Sequence, residues 1–296
     1  MTIKPLHKPI RILAVALFTT TFALAATAWE WDWKSNNVQG SGTVISETRA
    51  VSGYTGLALS VPAKLELNQN GKEGITISAD DNILPLLETV VEDNTLRIRW
   101  KDKGTSIKPA TLNITLDAKT IEQLAVAGSG EISSAALKSA KLKTNVAGSG
   151  KVSLKNLDAE TLNLSVAGSG NFQAASTKAS QVKASVAGSG DVKLDTLETQ
   201  SLSVNVAGSG DFKAAGHSKD SDISISGSGD INIGNLESKK SKISIAGSGD
   251  VVVWATDALT VSIAGSGTVK YYGDSTQVQQ STVGSGKVIR IAAAPR

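Results

Sequence analysis

The feature that most constrains this chain is a four-residue motif, Ala-Gly-Ser-Gly, that returns at a nearly constant interval. It first occurs at 127–130, and further copies begin at residues 147, 167, 187, 207, 246 and 264. Variant copies, Ser-Gly-Ser-Gly and Val-Gly-Ser-Gly, begin at 226 and 283. Successive copies start 18 to 20 residues apart. Nine copies at so regular a period predict one structural unit stacked on itself.

The residues between the motifs alternate between apolar and polar, which is typical of short β-strands. In the unit 151–170 the alternating apolar residues are Val152, Leu154, Leu157, Leu162, Leu164 and Val166. The period of two and the two glycines per unit disfavour helix. We therefore expect three short strands in each unit.

Equivalent apolar residues of successive units form two columns, which would become two walls of one core if each coil lay on the last. One column stands two residues after each motif and runs from Ile132 to Val288; the other precedes each motif and begins at Val126. The pattern predicts an all-β protein, a right-handed parallel β-helix with coils of about 20 residues over 121–291. The corner glycines, which permit a positive φ, are Gly128, Gly130, Gly148, Gly150, Gly168, Gly170, Gly188, Gly190, Gly208, Gly210, Gly227, Gly229, Gly247, Gly249, Gly265, Gly267, Gly284 and Gly286.

The two ends of the repeat differ from its middle. Residues 43–120 are rich in alternating apolar residues but lack the motif, and we interpret them as irregular first coils that form a β-rich N-terminal cap. Repeat stacks need such atypical end units, since an open end exposes strand edges and core. Residues 292–296 are a short C-terminal tail.

The first 28 residues are typical of an export signal. Lys4, Lys8 and Arg11 precede an uncharged stretch that ends in Ala26-Thr27-Ala28, the small-x-small pattern of a cleavage site. The alternative is a short membrane anchor. The whole chain carries a net charge of +3, and removal of 1–28 leaves 27 basic and 27 acidic residues. A chain without net positive charge does not favour a nucleic-acid partner.

Residues 29–42 form a tryptophan-rich segment followed by a polar linker from residue 35. Trp29, Trp31 and Trp33 would share one face if the segment were extended. That face would serve either as a docking or membrane-interface strip or as a flap over the end of the core.

Three features together resemble one bacterial family, the putative auto-transporter adhesin, head GIN domain. They are the stretch Glu47 to Leu57, the stretch Asp80 to Leu86 leading to 94–98, and the Gly-Ser-Gly turns followed by a polar and an apolar residue. The resemblance covers about residues 43–290. It implies a right-handed β-helix located outside the cytoplasm, and it implies no catalytic residues.

Few residues suggest chemistry. The chain has no cysteine, so disulfides, thiolate metal sites and a cysteine nucleophile are excluded. His217, the only histidine after residue 28, stands in a polar stretch that we interpret as a loop without a partner group. Polysaccharide-cleaving β-helix enzymes build a groove from long loops, and the even spacing of the turns leaves none. We therefore expect neither an enzyme nor a cofactor.

Four carboxylates follow successive turns at the same position: Asp191, Asp211, Asp230 and Asp250. A divalent ion such as calcium between coils would relieve their repulsion. The same column also contains Lys151 and Lys287, which favours ordinary solvated side chains over a calcium column.

A second column, directly before the inward valines and isoleucines, is small, polar and uncharged. We name it the Ser/Asn strip, and its members are Asn145, Ser165, Ser185, Asn205, Ser224, Ser244 and Ser262. The strip would bind a regular polymer such as a glycan or pack against another rod. The alternative is a solvated face with cross-strand hydrogen bonds.

The sequence as a whole favours an exported, non-catalytic, adhesin-like or cell-envelope interaction module. Its partner would be an envelope component, a glycan or a protein, and no membrane span would remain after signal cleavage. The alternatives are an envelope scaffold that associates with itself through the rod ends and, third, a glycan-active enzyme. We expect a location in the periplasm, the cell envelope or the exterior of a bacterium.

Overall fold

A computed structural model describes residues 37–102, 104–274 and 277–295 of the chain. The predicted signal peptide, residues 1–28, and Trp29, Trp31 and Trp33 lie outside the described residues. The described part consists of β-strands with a single 3-10 turn at Leu84–Leu86. The described residues contain no helix that is long and apolar enough to cross a bilayer.

The repeat region winds into a parallel β-solenoid, and the whole solenoid has about eight turns. The predicted parallel β-helix is confirmed. Its strands are β10 (Gln123–Gly128), β11 (Glu131–Gly148), β12 (Lys151–Gly168), β13 (Asn171–Gly188), β14 (Asp191–Gly208), β15 (Phe212–Gly227), β16 (Ile231–Gly247), β17 (Val251–Gly265), β18 (Thr268–Tyr272), β19 (Gln277–Gly284) and β20 (Lys287–Ala292).

Each regular coil is one long strand that bends at two corners before it reaches the glycine turn. The pairing of β11 with β12 runs in register from Glu131 to Gly148 and lapses only at Ala135 and Ala140. These lapses divide the coil into three straight segments, as the alternation in the sequence predicts. We call the outer surfaces of 131–134, 136–139 and 141–148, with the equivalent segments of the other coils, face 1, face 2 and face 3.

The N-terminal region begins the solenoid and closes its end. Its strands are β1 (Asn37–Gln39), β2 (Val44–Arg49), β3 (Gly56–Leu59), β4 (Lys64–Gln69), β5 (Gly74–Asp80), β6 (Leu87–Glu92), β7 (Thr95–Trp100), β8 (Ser106–Lys108) and β9 (Leu112–Ala118). Strands β3 and β4 pair in parallel with β10 and β11 and thus continue the stack. Beyond them the direction changes, because β5 lies antiparallel to β9 and β2, and β6 lies antiparallel to β7.

The core consists of the inward columns. Every member of the first predicted wall from Ile132 to Val269 is buried, and so is every member of the second from Val126 to Ile263. In the last coil Val288 is half-buried and Thr282 is exposed. The apolar core therefore ends one coil before the last strands of the solenoid.

Two glycines at each turn allow successive coils to touch through their backbones. Gly168 adopts φ +103°, a left-handed conformation that other residues rarely adopt. A Cβ on Gly170 would lie 2.5 Å from Cγ1 of Val146 and 2.8 Å from the carbonyl oxygen of Gly150, both in the coil below. Both glycines are therefore required, the first by its φ and the second by the close approach.

The serine between the glycines carries the backbone ladder around the corner. The N–H of Ser169 donates to the carbonyl oxygen of Gly148 at 2.8 Å, and the equivalent bond recurs at all the other turns from Ser149 to Ser285. The hydroxyl of Ser169 is exposed and makes no hydrogen bond to a described residue. The serine thus holds the turn through its main chain.

A buried carboxylate joins the cap to the segment that precedes it. Asp80 is fully buried, and its two oxygens accept hydrogen bonds from the N–H groups of Gly42, Ala110 and Thr111 at 3.0, 2.8 and 3.1 Å. Asn82 donates to the carbonyl oxygen of Gln39. Strand β1, which pairs with β8, lies within the predicted linker, so this part of the linker is fixed to the cap.

Because the second glycine of a turn faces the backbone of the coil below, we expect Gly170→Ala to destabilise the fold by about 1–3 kcal/mol through overpacking. Ser169→Ala is the matched control, and we expect it to stay within about 0.5 kcal/mol of the unchanged protein because its side chain is exposed. Chemical denaturation measures both. Equal, small effects would contradict the close contact.

Asp80 also predicts a pH dependence of stability. The N–H of Thr111, with those of Ala110 and Gly42, holds the pKa of the Asp80 carboxyl below its usual range, although burial acts in the opposite direction. Its contribution is therefore complete above the unfolded pKa of about 3.9 and disappears as the pH falls through the lower folded pKa.

We expect Asp80→Asn to lower the Tm at pH 7 and the difference from the unchanged protein to narrow as the pH falls below 4. The exposed neighbour Asp81 gives the control, Asp81→Asn. Thermal unfolding across this pH range checks both variants. A constant difference at every pH would contradict the role of the ionised carboxylate.

Candidate interaction surfaces

The predicted Ser/Asn strip forms one straight column on face 3. Asn145 pairs in register with Ser165, and the register continues without a shift through Ser185, Asn205, Ser224, Ser244 and Ser262 to Ser281. Four members, Ser185, Asn205, Ser244 and Ser262, are exposed, and the others are half-buried. Parallel strands lie about 4.8 Å apart, so the seven members span roughly 29 Å.

The side chains of the strip have no partner among the described residues. No hydrogen bond joins them to one another or to any other group in the described part of the chain. The side chains of the strip therefore do not form the cross-strand hydrogen bonds with one another that the alternative interpretation requires. Its hydroxyl and amide groups point to the exterior and can donate to or accept from a bound molecule.

The column two residues further along the chain makes this surface flat. It lies next to the glycine turn and is exposed, and its members are Ala147, Ala167, Ala187, Ala207, Ser226, Ala246 and Ala264. No long or charged side chain stands in either column. These two columns therefore form a flat, uncharged band on face 3 next to the glycine turns, with polar groups repeated at the strand spacing.

The aspartate column has a defined structural role. Oδ1 of Asp191 accepts a hydrogen bond from the N–H of Asp211 at 3.2 Å, and the same contact joins Asp211 to Asp230 and Asp230 to Asp250. The ladder begins with Oδ1 of Asn171 and ends at the N–H of Thr268. In earlier coils the equivalent N–H donates to a glycine carbonyl instead.

This aspartate ladder bears on the calcium hypothesis. Each of the four carboxylates uses one oxygen to accept a backbone hydrogen bond from the next coil. No three His, Asp or Glu side chains of the described ranges are arranged to hold a metal ion. The geometry explains the aspartates as acceptors that complete the turn, which an asparagine can also do.

His217 does not lie in a loop, and that interpretation was wrong. It belongs to β15 on face 2, and its Nδ1 lies 3.5 Å from Oε2 of Glu237 in the next coil. The sequence concealed this because His217 follows the irregular pair Ala215-Gly216, where the pairing register shifts. No nucleophile among the described residues is hydrogen-bonded to its ring.

His217 belongs to a column of alternating charge that the sequence analysis missed. We call it the charge ladder, and its members in register are Lys138, Asp158, Lys178, Glu198, His217 and Glu237. Trp254 and then Tyr272 occupy the next two coils, both half-buried. The signal was present, since each of the six members stands ten residues before the first glycine of the following turn.

A shallow groove of about 910 Å³ runs beside the charge ladder. Besides the members of the ladder, small side chains line it, together with the longer side chains of Glu160 and Gln200; the small residues include Ser139, Ala140, Ala159, Ala179 and Ser180. Gln69 closes one end, where its amide donates to the carbonyl oxygen of Lys138 at 2.9 Å and accepts from the N–H of Lys138 at 2.7 Å. The amide thus continues the pairing of β11 at the point where β4 ends.

The geometry defines a class of protein: a parallel β-solenoid with exposed columns of repeated side chains. The model of the family described as putative auto-transporter adhesin, head GIN domain, matches residues 53–215 and 176–275. The chain belongs to this family. The resemblance inferred from the sequence is confirmed.

Solved structures share the fold. A protein from Parabacteroides distasonis described as a putative lipid binding protein is 27% identical, with a TM-score of 0.69, over 86% of this chain and 99% of that chain. A putative adhesin from Parabacteroides merdae is 22% identical, with a TM-score of 0.66, over 86% of this chain and 99% of that chain. Among curated proteins there is no match.

The aspartate ladder predicts unequal effects of two substitutions at one position. Asp230→Ala removes the acceptor for the N–H of Asp250, and we expect a loss of about 1 kcal/mol in the free energy of unfolding. Asp230→Asn keeps an acceptor, as Asn171 does, and should cost clearly less. Chemical denaturation distinguishes the two.

Calcium provides the contrasting measurement. If the aspartate ladder only accepts backbone hydrogen bonds, millimolar calcium should not change the Tm of the unchanged protein. A rise in Tm that Asp230→Asn abolishes would instead show that the aspartates bind the ion.

Proposed function

We propose that this protein is a non-catalytic, adhesin-like binding module that works outside the cytoplasm and contacts a regular polymer through the Ser/Asn strip. The observation that carries the proposal is the register of the strip, whose members stand in one column and lack partners in the described part of the chain. A column of unpaired polar groups offers the same contact once in every coil.

The spacing favours a repeating ligand over a compact one. Each coil supplies a hydroxyl or an amide about 4.8 Å from the next, which is the separation of parallel strands. A polymer aligned with the rod axis would meet several such groups together, and many weak contacts in one direction produce avidity. The absence of charge from the strip suits a neutral glycan, whose many hydroxyl groups both donate and accept hydrogen bonds.

The family and the sequence support an extracytoplasmic role. The family description names an adhesin, and residues 1–28 have the composition of an export signal. A structural relative is described as a putative lipid binding protein, so a membrane surface is the second ligand class to test. Half-buried Trp254 and Tyr272 favour it, because aromatic side chains suit the interface between water and lipid.

A non-catalytic role agrees with the sites on the described surface. Face 2 has a shallow groove, and its histidine contacts a glutamate rather than a nucleophile. We therefore infer binding without turnover.

The test is a binding screen with the purified protein on immobilised neutral glycans, acidic glycans and peptidoglycan, with phosphatidylethanolamine–phosphatidylglycerol vesicles as the lipid arm. We expect saturable binding to a neutral glycan. The double variant Ser165→Lys/Ser185→Lys should lower the affinity at least tenfold, because two long charged side chains lift a polymer off the flat band.

The matched control places the same charges in the same two coils on face 1, as Ser153→Lys/Gln173→Lys, where both residues are half-buried and without partners. This control should bind like the unchanged protein. Equal binding by both double variants would exclude the strip as the contact surface. Binding to vesicles alone would favour the lipid ligand.

A further inference from the structure

We infer that the protein pairs with a second copy of itself through face 2, in antiparallel orientation, by means of the charge ladder. The ladder reads positive, negative, positive, negative, histidine, negative along the axis, from Lys138 to Glu237. All members except Glu237 are exposed. The inference is independent of the ligand proposed for face 3.

Neighbouring members of the ladder contact each other at its two ends, where Nζ of Lys138 lies 3.8 Å from Oδ2 of Asp158 and Nδ1 of His217 lies 3.5 Å from Oε2 of Glu237, but the two central members remain unpaired. Lys178 stands in register with Asp158 and Glu198, yet neither Lys178 nor Glu198 forms an ion pair with a described residue. The aspartate ladder shows that this solenoid accepts like charges in four consecutive coils. The central charges of face 2 are therefore free to meet charges from outside.

A two-fold axis between Lys178 and Glu198 makes the ladder complementary to itself. Under this rotation Lys178 of one copy faces Glu198 of the other, and each such contact occurs twice. The remaining members also meet opposite partners, Lys138 with Glu237 and Asp158 with His217, whose imidazole N–H can donate to the carboxylate. Every facing pair is attractive.

The shape of face 2 permits this approach. The long side chains of the ladder stand as a ridge, and the groove beside it is lined by small residues together with Glu160 and Gln200. Because the two-fold axis crosses the ladder perpendicular to the rods, the two ridges meet each other along their length, and the grooves beside them come face to face. Trp254, one coil beyond Glu237, then comes opposite the groove end lined by Gln69 and Thr120. A half-buried tryptophan at a groove end suits an anchor residue of an interface.

The size of the surface predicts a weak dimer. Seven coils from Lys138 to Trp254 span about 29 Å, and six residues of each coil span about 20 Å. The area is then roughly 600 Å² per copy, at the lower limit for specific interfaces. Exposed ion pairs weaken as salt screens them, so we expect association in the micromolar range that decreases with ionic strength.

Charge exchange between two positions tests the arrangement. Sedimentation velocity of the purified protein at low salt should show a monomer–dimer equilibrium. Lys178→Glu and Glu198→Lys, each alone, place like charges opposite each other twice and should weaken association at least tenfold. The double variant Lys178→Glu/Glu198→Lys restores opposite charges across the axis. We therefore expect its dissociation constant to lie within about threefold of that of the unchanged protein, whereas a tenfold loss corresponds to about 1.4 kcal/mol.

The control is Lys183→Glu, which reverses an exposed charge in the same coil on face 3 and should leave association unchanged. Circular dichroism establishes that each variant is folded. The inference would be overturned if the protein stayed monomeric at every concentration up to about 200 µM, which is about a hundredfold above a micromolar dissociation constant. Association that the double variant fails to recover would overturn it as well. Neither result depends on whether the Ser/Asn strip binds a glycan.

Discussion

The structure depends on backbone contact at the glycine corner. A side chain on the second glycine of a turn would collide with the coil below, and the first glycine takes a φ that only glycine adopts readily. This φ increases steadily up the stack, from +91° at Gly128 to +139° at Gly247. The corner is thus a continuous column of main chain, and it fixes which residue of one coil lies over which residue of the next. All columns discussed above follow from that register.

The two ends of the solenoid differ in how their terminal coils are covered. At the N-terminal end the chain reverses direction, and antiparallel strands tied by buried Asp80 cover the first coils. At the C-terminal end β19 and β20 keep the parallel register, but Gln280 and Thr282 occupy inward positions and are exposed. The apolar core therefore ends before the sheet does, and the last strands have an edge with exposed Val283 and Ile291.

The sequence predicted the fold well because its glycine turns reveal the register directly. Once the coils are aligned by their turns, the two inward walls and the Ser/Asn strip follow by counting, and the structure places Val166 and Ser165 as that count predicts. The charge ladder was missed because its fifth member, His217, leaves the column when the coils are counted forward from the preceding turn, since the register shifts beside Gly216. The aspartate ladder required hydrogen-bond geometry that no residue pattern shows.

These features separate the framework of the protein from its surfaces. The turn that dominates the sequence is the corner of the framework, while repeated polar groups stand beside it on face 3 and alternating charges stand on face 2. Variation among the coils supports this division, since the inward walls and the glycines change little and the charge ladder changes at every step. Different surfaces of one rod can thus serve a ligand and a second copy.

Hydrogen exchange of the turn amides tests the central claim most directly, because the account makes the turn part of the backbone ladder. The N–H of Ser169 and those of the equivalent serines donate to the coil below, although their side chains are exposed. We expect these amides to exchange as slowly as those of the neighbouring inward residues such as Val166. Exchange at the rate of an open loop would contradict the account, because the corner would then not set the register of the coils.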